Sequence, residues 1–382
     1  MFTLFLIIYL LTIFLCLSSY AFYPIVIWAI GRITPLKFRR ADINPYISII
    51  IPAYNEEKSI ERKILNTMAL EYPKDKVEIF VGSDGSNDES ATLVKKFANR
   101  GVQLLDFKAN RGKTAVQNDL VRRSKGEILI FTDAASFLQR DAIKEIVKSF
   151  VDERVGCVAG RMRFVDTDPS LTTQSQSLYW RYELKIRELE SNLGSLIGVD
   201  GPLYAVRRDS YVPLENNIIS DLLTPLLVLE QGKKVVLEPN AIVDENPTLK
   251  TGEEFATRRR ITLRGLVGLS AYIELLNPFK HPMLAFQIFF HKILRWFVGP
   301  LVILNVLACC ALSGHWLFKY ILVVYIFFFL AATLGWGADK LKIKAKILTV
   351  PYYFSLVNLA ATMGIIDFLR KKQAIAWKPV RN

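Results

Sequence analysis

The chain is short of cysteine and histidine, and over long stretches it has no charge at all. Four cysteines (Cys16, Cys157, Cys309, Cys310) among 382 residues form no disulfide framework. With no CxxC and only three histidines, no Cys/His cluster suggests a metal, and a reducing compartment fits. Asp, Glu, Lys and Arg are absent from Met1 to Ile30, Trp296 to Phe318, Tyr320 to Ala338 and Ile347 to Ile366. A hydrocarbon layer ~30 Å thick takes about 20 apolar residues as helix, so each run is near or above the crossing length. These absences exclude a soluble cytoplasmic enzyme, a disordered chain and a fibrous one. No internal repeat or low-complexity segment appears.

Between the apolar runs, Gly31 to Arg295 is mixed in charge and long enough for one large core or two small ones. The net charge is +13, and the basic residues gather beside the apolar runs. That favours an anionic membrane surface and no nucleic acid. Met1 to Ile30 lacks a basic n-region and a small-residue cleavage site, so it reads as a retained anchor. Arg32, Lys37, Arg39 and Arg40 follow at once, which puts the N-terminus outside and the next domain in the cytoplasm of a prokaryotic-type inner membrane. Four crossings then leave the C-terminus outside. Yet Lys340, Lys342, Lys344 and Lys346, and the tail with Arg370, Lys371, Lys372, Lys378 and Arg381, belong inside. Either the last run, interrupted by Pro351 and Gly364, is re-entrant, or the charge rule fails at one loop.

From Tyr46 short apolar strands alternate with helices: Ile47 to Ile51, a helix Glu56 to Glu71, Val77 to Gly82, a helix Glu89 to Asn99, VQLLDF, a helix from Lys113, and Glu127 to Asp133. That alternation predicts an α/β fold with a mainly parallel sheet covered on both faces. Further on come a strand Val155 to Phe164, a helix Tyr179 to Ser191, strands Leu203 to Val206 and Lys234 to Leu237, and a helix Ile219 to Glu230. Gly265 to Leu276, behind Arg258, Arg259, Arg260 and Arg264, predicts an interfacial amphipathic helix. The expected divisions are an N-terminal transmembrane helix at 1–30, the catalytic domain at 31–262, interfacial helices at 263–295, C-terminal transmembrane helices at 296–369 and a basic tail at 370–382.

Ligands of such sheets bind beyond the carboxyl ends of strands. Four features fall there: Pro52-Ala53-Tyr54-Asn55-Glu56-Glu57, Asp84-Gly85-Ser86-Asn87-Asp88, Asn110-Arg111-Gly112-Lys113 and Thr132-Asp133-Ala134-Ala135. Singly each is an ordinary turn, cap or helix start. In order, each after a strand, they supply what a nucleotide needs: carboxylates for ribose and base, and cations for a diphosphate.

The runs PAYNEE, SDGSNDES, NRGKTAVQN, ILIFTDAAS, GVDGPLYAVRR, IISDLLTPL and ATRRRITLRG, from about Ile47 to Ile261, resemble the family 2 nucleotide-sugar glycosyltransferases of GT-A fold. Within them the chain looks like the membrane branch of cellulose, hyaluronan and poly-N-acetylglucosamine synthases. The resemblance implies that Ala53, Tyr54, Asn55 and Glu57 line a uridine pocket, that Asp84 binds base or ribose, and that Lys113 lies against the nucleotide. Asp133 matches the first carboxylate of the family's DxD motif, which touches nucleotide and metal (Mg²⁺ or Mn²⁺). Asp221 matches the catalytic base. Asp200, Gly201, Pro202, Leu203 and Tyr204 match the acceptor wall, and Arg258 and Arg260 the arginines that hold the diphosphate.

Two departures stand out. Ala135 replaces the second DxD carboxylate, and Thr257-Arg258-Arg259-Arg260-Ile261 keeps the arginines of a QxxRW-type motif without its Gln and Trp. The expected activity is inverting transfer of a sugar from a UDP-linked donor to a saccharide or lipid-linked acceptor at the bilayer, in polysaccharide synthesis. The alternatives are single-sugar transfer to a polyprenyl phosphate or glycolipid, and a weakly active or inactive nucleotide-sugar-binding subunit of an export complex. His281 and His291, ten residues apart with no carboxylate nearby in sequence, predict packing or interfacial roles, as does His315.

Overall fold

A computed structural model describes residues 1–165, 171–247, 250–341, 343 and 345–372. Lys342, Lys344, Lys378 and Arg381 lie outside the described residues. The strands are β1 (Ile47–Ala53), β2 (Val77–Asp84), β3 (Val102–Phe107), β4 (Ile128–Phe131), β5 (Phe137–Leu138), β6 (Val155–Phe164), β7 (Tyr204–Arg207) and β8 (Lys234–Glu245). They form one sheet in the order β3-β2-β1-β4-β7-β6-β8-β5. The first four are parallel. Strand β7 runs against both of its neighbours, β6 and β8 are parallel, and β5 closes the edge antiparallel to β8.

The helices over this sheet are α3 (Ile60–Met68), α4 (Ser90–Lys95), α5 (Lys113–Arg123), α6 (Ala142–Val147), α7 (Leu171–Ser191), α8 (Ser220–Glu230) and α9 (Thr251–Ala271), after α1 (Phe2–Leu17) and α2 (Tyr23–Ile33) near the N-terminus. All seven residues of β1 are buried. Its Ile47, Ile49 and Ile51 join Ile60 and Ile64 of α3 and Ile143 of α6, while Ile50 joins Val116 and Leu120 of α5 on the other face. The two-residue period of a strand thus feeds two separate cores, and an apolar run without alternation is what such a strand requires.

The remaining helices are α10 (Pro282–Gln287), α11 (Leu294–Ala311), α12 (Trp316–Lys340) and α13 (Thr349–Leu369). Four helical stretches are long and apolar enough to cross a membrane: Phe2–Ile33, Pro282–Ala311, Trp316–Lys340 and Lys346–Leu369. The second starts well before Trp296, because Lys292 and Arg295 interrupt the charge-free run without interrupting the helix. Amide and hydroxyl groups join the first two, Asn305 Nδ2 donating to Tyr9 O (2.9 Å) and Thr12 Oγ1 (2.6 Å).

The interfacial segment also differs from expectation. Gly265 to Ala271 is the end of the 21-residue α9, which already begins at Thr251 and carries all four arginines. Its first half is too charged to reveal an apolar period, and tertiary contacts hold it instead. Helix α13 lies along it: Tyr353 Oη donates to Glu254 Oε1 (2.6 Å), Arg258 donates to Tyr353 Oη (3.0 Å), and Arg259 Nε donates to Asp367 Oδ2 (2.5 Å). At Gly364 an added Cβ would stand 2.7 Å from the Arg259 carbonyl oxygen, so only glycine permits this approach. Both ends of α13 therefore touch α9, and Lys372, 2.8 Å from Asp367, ends beside it.

Candidate active site

Strand β4 delivers Thr132 and Asp133 to the carboxyl edge of the sheet. Thr132 Oγ1 donates to Pro202 O (2.7 Å) and accepts from Lys63 Nζ (2.7 Å), which also donates to Ser136 O (2.6 Å). Burial pushes the Lys63 ammonium down to about 7, although Asp133 and Glu245 act to raise it. This lysine braces the turn beneath Asp133, and no motif signalled it.

Lys113 opens α5 and lies 2.6 Å from Asp133 Oδ1 and 3.6 Å from Asp221 Oδ1. Burial opposes its charge, yet Asp133 and then Asp221 hold its pKa above the ordinary lysine value. Asp221 stands in the first turn of α8, where a carboxylate meets the positive end of the helix dipole. A Cβ placed on Gly201 would be 2.6 Å from Lys113 Nζ, 2.9 Å from Asp221 Oδ2 and 3.0 Å from Asp133 Oδ2. Four segments distant in sequence therefore meet at one point.

That point is one end of a cavity of about 390 Å³. Seven cations line it (Lys113, Arg187, Arg258, Arg260, Arg264, Lys292, Arg295) against four carboxylates (Asp133, Glu183, Asp200, Asp221). Arg260 and Arg264 descend from α9. Burial lowers the Arg260 pKa, with Asp133 and Asp221 opposing, and burial followed by Arg260 lowers Arg264 to about 10. Arg264 is fixed by the carbonyl of Ile218 (2.7 Å). Arg258 is already engaged with Glu254 (2.7 Å) and Tyr353. At the other end the cavity reaches Tyr20, Val357 and Ala361 of the apolar helices.

The remaining expected residues divide. Gly201, Pro202 and Asp200 line the cavity, Asp200 paired with Arg187. Leu203 and Tyr204 do not: both are fully buried, Tyr204 stacked on Phe131 with ring centroids 4.7 Å apart, because β7 turns them into the core. Ala53 is likewise a core residue, 1% exposed. Asn55, held at φ 53°, accepts from the Asn87 backbone (2.9 Å), and Glu57 accepts from the Glu89 backbone (3.2 Å), locking the loops after β1 and β2 together; Tyr54 is half-buried between them. Asp84 is fully buried and accepts the backbone N–H groups of Arg111 and Gly112, both at 2.8 Å. Burial raises its pKa against those two hydrogen bonds, and its carboxylate orders the turn that presents Lys113.

His291 overturns the expectation of a carboxylate-free environment. It is buried, with Nδ1 2.5 Å from Glu190 and Nε2 3.0 Å from Glu183, and Arg295 donates to Glu183 at 2.7 Å. These partners stand on α7, about a hundred residues upstream, and only the fold joins them. Arg187, Arg264, Lys292 and Arg295 were also missed as site residues; spaced cations in helices carry no motif. Trp180 and Trp296 line the cavity too, so aromatic surface absent after Ile261 is supplied by other helices. Among the described residues no three His, Cys, Asp or Glu side chains form a metal cage.

Residues 48–212 match the Glycosyl transferase family 2 profile. A probable glycosyltransferase, YdaM, of Bacillus subtilis is 30% identical over 136 residues, covering 34% of this chain and 32% of that one. Hyaluronan synthase of Streptococcus pyogenes is 26% identical over 182 residues, 44% and 43% of the two chains. A beta-monoglucosyldiacylglycerol synthase of Trichormus variabilis is 27% identical over 170 residues, 44% and 36%. The chain thus spans less than half the length of these relatives. A mannosyltransferase of Pyrobaculum calidifontis, solved with GDP-Man and Mn²⁺, shares the fold with TM-score 0.72 at 21% identity, over 96% of this chain and 100% of that one.

Proposed function

Because residues 48–212 carry a family 2 glycosyl transferase domain on a GT-A sheet, we propose that the chain is an inverting glycosyltransferase serving an acceptor held at the membrane. The observation that carries this reading is the single cavity that joins Lys113, Asp133 and Asp221 to side chains of the apolar helices. Asp221 takes the proton of the acceptor hydroxyl as that oxygen attacks the anomeric carbon opposite the departing nucleoside diphosphate. Lys113, Arg260 and Arg264 neutralise the charge developing on the leaving group. Direct displacement inverts the anomeric centre, so an α-linked donor yields a β-linked product. Asp84 and the locked loops after β1 and β2 hold the nucleotide side of the sheet in place.

A divalent cation fits here only with the donor's help. Asp133 supplies one protein carboxylate, Ala135 supplies none, and diphosphate oxygens and water complete the shell, as Mg²⁺ and Mn²⁺ commonly accept. When bound, the ion adds Lewis-acid stabilisation of the diphosphate.

The donor is a UDP-sugar in this reading, and Trp180 and Trp296 in the lining give the cavity aromatic surface suited to a saccharide acceptor, which favours polysaccharide synthesis. Single-sugar transfer to a lipid is the second reading, favoured by the cationic membrane end of the same cavity. Purified protein given UDP-glucose, UDP-N-acetylglucosamine, UDP-galactose or GDP-mannose is expected to release nucleotide from one UDP-sugar, with a ladder of labelled product lengths. One addition to a lipid selects the second reading. Nucleotide binding with no turnover on any donor or acceptor overturns the enzymatic reading and leaves the export-complex subunit.

The contacts of α13 also support a membrane topology. With α13 laid along α9, three stretches cross, and the basic residues Arg370 to Lys372 stay on the side of the sheet domain, as their charge requires. In a background lacking the four cysteines, Gly314→Cys is expected to react with an impermeant maleimide in intact cells. Lys372→Cys reacts only after permeabilisation; labelling of both in intact cells points to a fourth crossing.

A further inference from the structure

A second cavity of about 740 Å³, which shares no lining residue with the transfer site, opens where two of the apolar helices leave the sheet domain. Ile30 and Thr34 at the end of the first helix and Pro282 to Leu284 at the start of the second line it, together with Leu36, the turn at Gly194 and the segment Gly232 to Lys234. Its charged lining has one sign: Lys37, Arg154, Lys233 and Lys234, with His281 beside them and no carboxylate. Arg154 is tied to Asp152 (2.8 Å) and Lys233 donates to the Glu153 carbonyl (2.9 Å). Among the described residues the side chains of Lys37 and Lys234 have no ion-pair or hydrogen-bond partner.

A further observation sets where a ligand would lie. Gln287, on the floor of the cavity, is fully buried and donates to Ser195 O (2.9 Å), so the polar groups open to a ligand are those of the lysines. The depth is set by exposed apolar groups at the mouth: Ile33 is 79% exposed and Phe279 97% exposed, each within two residues of the lining. If these helices span, such residues enter the hydrocarbon boundary and the lysines stand at headgroup level. The wall is preformed, since at Gly194 (φ +66°) a Cβ would meet Leu36 at 2.5 Å and Lys234 at 3.0 Å.

We propose that this cavity binds the headgroup of an anionic phosphodiester lipid, its phosphate between Lys37 and Lys234. The test uses the full chain in detergent and native mass spectrometry, with phosphatidylglycerol, phosphatidylcholine and free glycerol 3-phosphate as probes. One phosphatidylglycerol should be retained where phosphatidylcholine is lost, and excess glycerol 3-phosphate should leave it in place. The Lys37→Gln/Lys234→Gln protein should bind about twenty-five-fold more weakly, each lysine near an anionic lipid being worth about a factor of 5. Arg370→Gln/Lys371→Gln, with the same charge removed elsewhere, should bind as the parent does. Equal retention of both lipids, an equal loss in the Arg370/Lys371 protein, or displacement by glycerol 3-phosphate overturns the proposal. The readout involves no sugar transfer, so this site and the transferase reading stand or fall separately.

Discussion

Asp221→Asn is expected to reduce sugar transfer by about 10²- to 10⁴-fold, the usual contribution of a positioned general base. Asparagine matches aspartate in shape, can keep the Ser220 contact (3.3 Å) and stays in the first turn of α8, so the cavity retains its form. What disappears is the proton acceptor, together with one of the two carboxylates facing Lys113. Donor binding should remain close to that of the parent, because the cations for the diphosphate are untouched and one competing negative charge is gone. The loss should therefore fall on kcat, with calorimetric donor binding as the second readout. Asp133→Asn should behave differently, weakening donor and metal binding and raising KM. Full turnover by Asp221→Asn would show that the base is another group, Asp133 and Asp200 being the other aspartates of the cavity wall.

The strands were legible because a strand buried on both faces must be apolar throughout. Ile128 to Phe131 is, and Ile47 to Ile51 is apart from Ser48, whose hydroxyl is spent on Glu78 (2.6 Å). The convergence of Lys113, Asp133, Asp221 and Gly201 followed from their places at strand ends and helix starts. Register was harder. The segment Gly201 to Tyr204 was singled out as a unit, yet the period of two in β7 sends Tyr204 onto Phe131 and away from the cavity.

Buried charge hid the rest. Lys292 and Arg295 look like the end of a membrane run, but in the fold both face Glu183, at 3.7 and 2.7 Å, and the helix passes through them. Such groups are tolerated when each finds an opposite charge, which a linear search for uncharged runs cannot anticipate. The same holds for Arg258, one of the two arginines expected at the diphosphate. Glu254, four residues earlier, and Tyr353, ninety-five residues later, pair with it, and Arg264, which no motif marked, lines the same cavity with it and Arg260.

Gly201→Ala is the more specific probe of this site, because it adds one methyl group and removes nothing. That methyl would lie 2.6 Å from an ammonium and within about 3 Å of two carboxylates, closer than any of the three can stay. All three contacts are side-chain ends: Asp84 holds the backbone before Lys113 and Thr132 is tied to Pro202 and Lys63, so relief comes from the ammonium and the carboxylates rotating away from one another. The shift must open the ion triad, and a displacement of about 1 Å at a reacting centre can cost 10²-fold in rate. Transfer should fall by up to about that factor while thermal stability changes little, the methyl entering a cavity and not the core. Gly252→Ala provides the control: nothing lies within 4 Å of its added Cβ, and alanine in the first turn of α9 can only favour the helix. Transfer by Gly201→Ala at the rate of Gly252→Ala would mean that the reacting atoms meet elsewhere along the cavity.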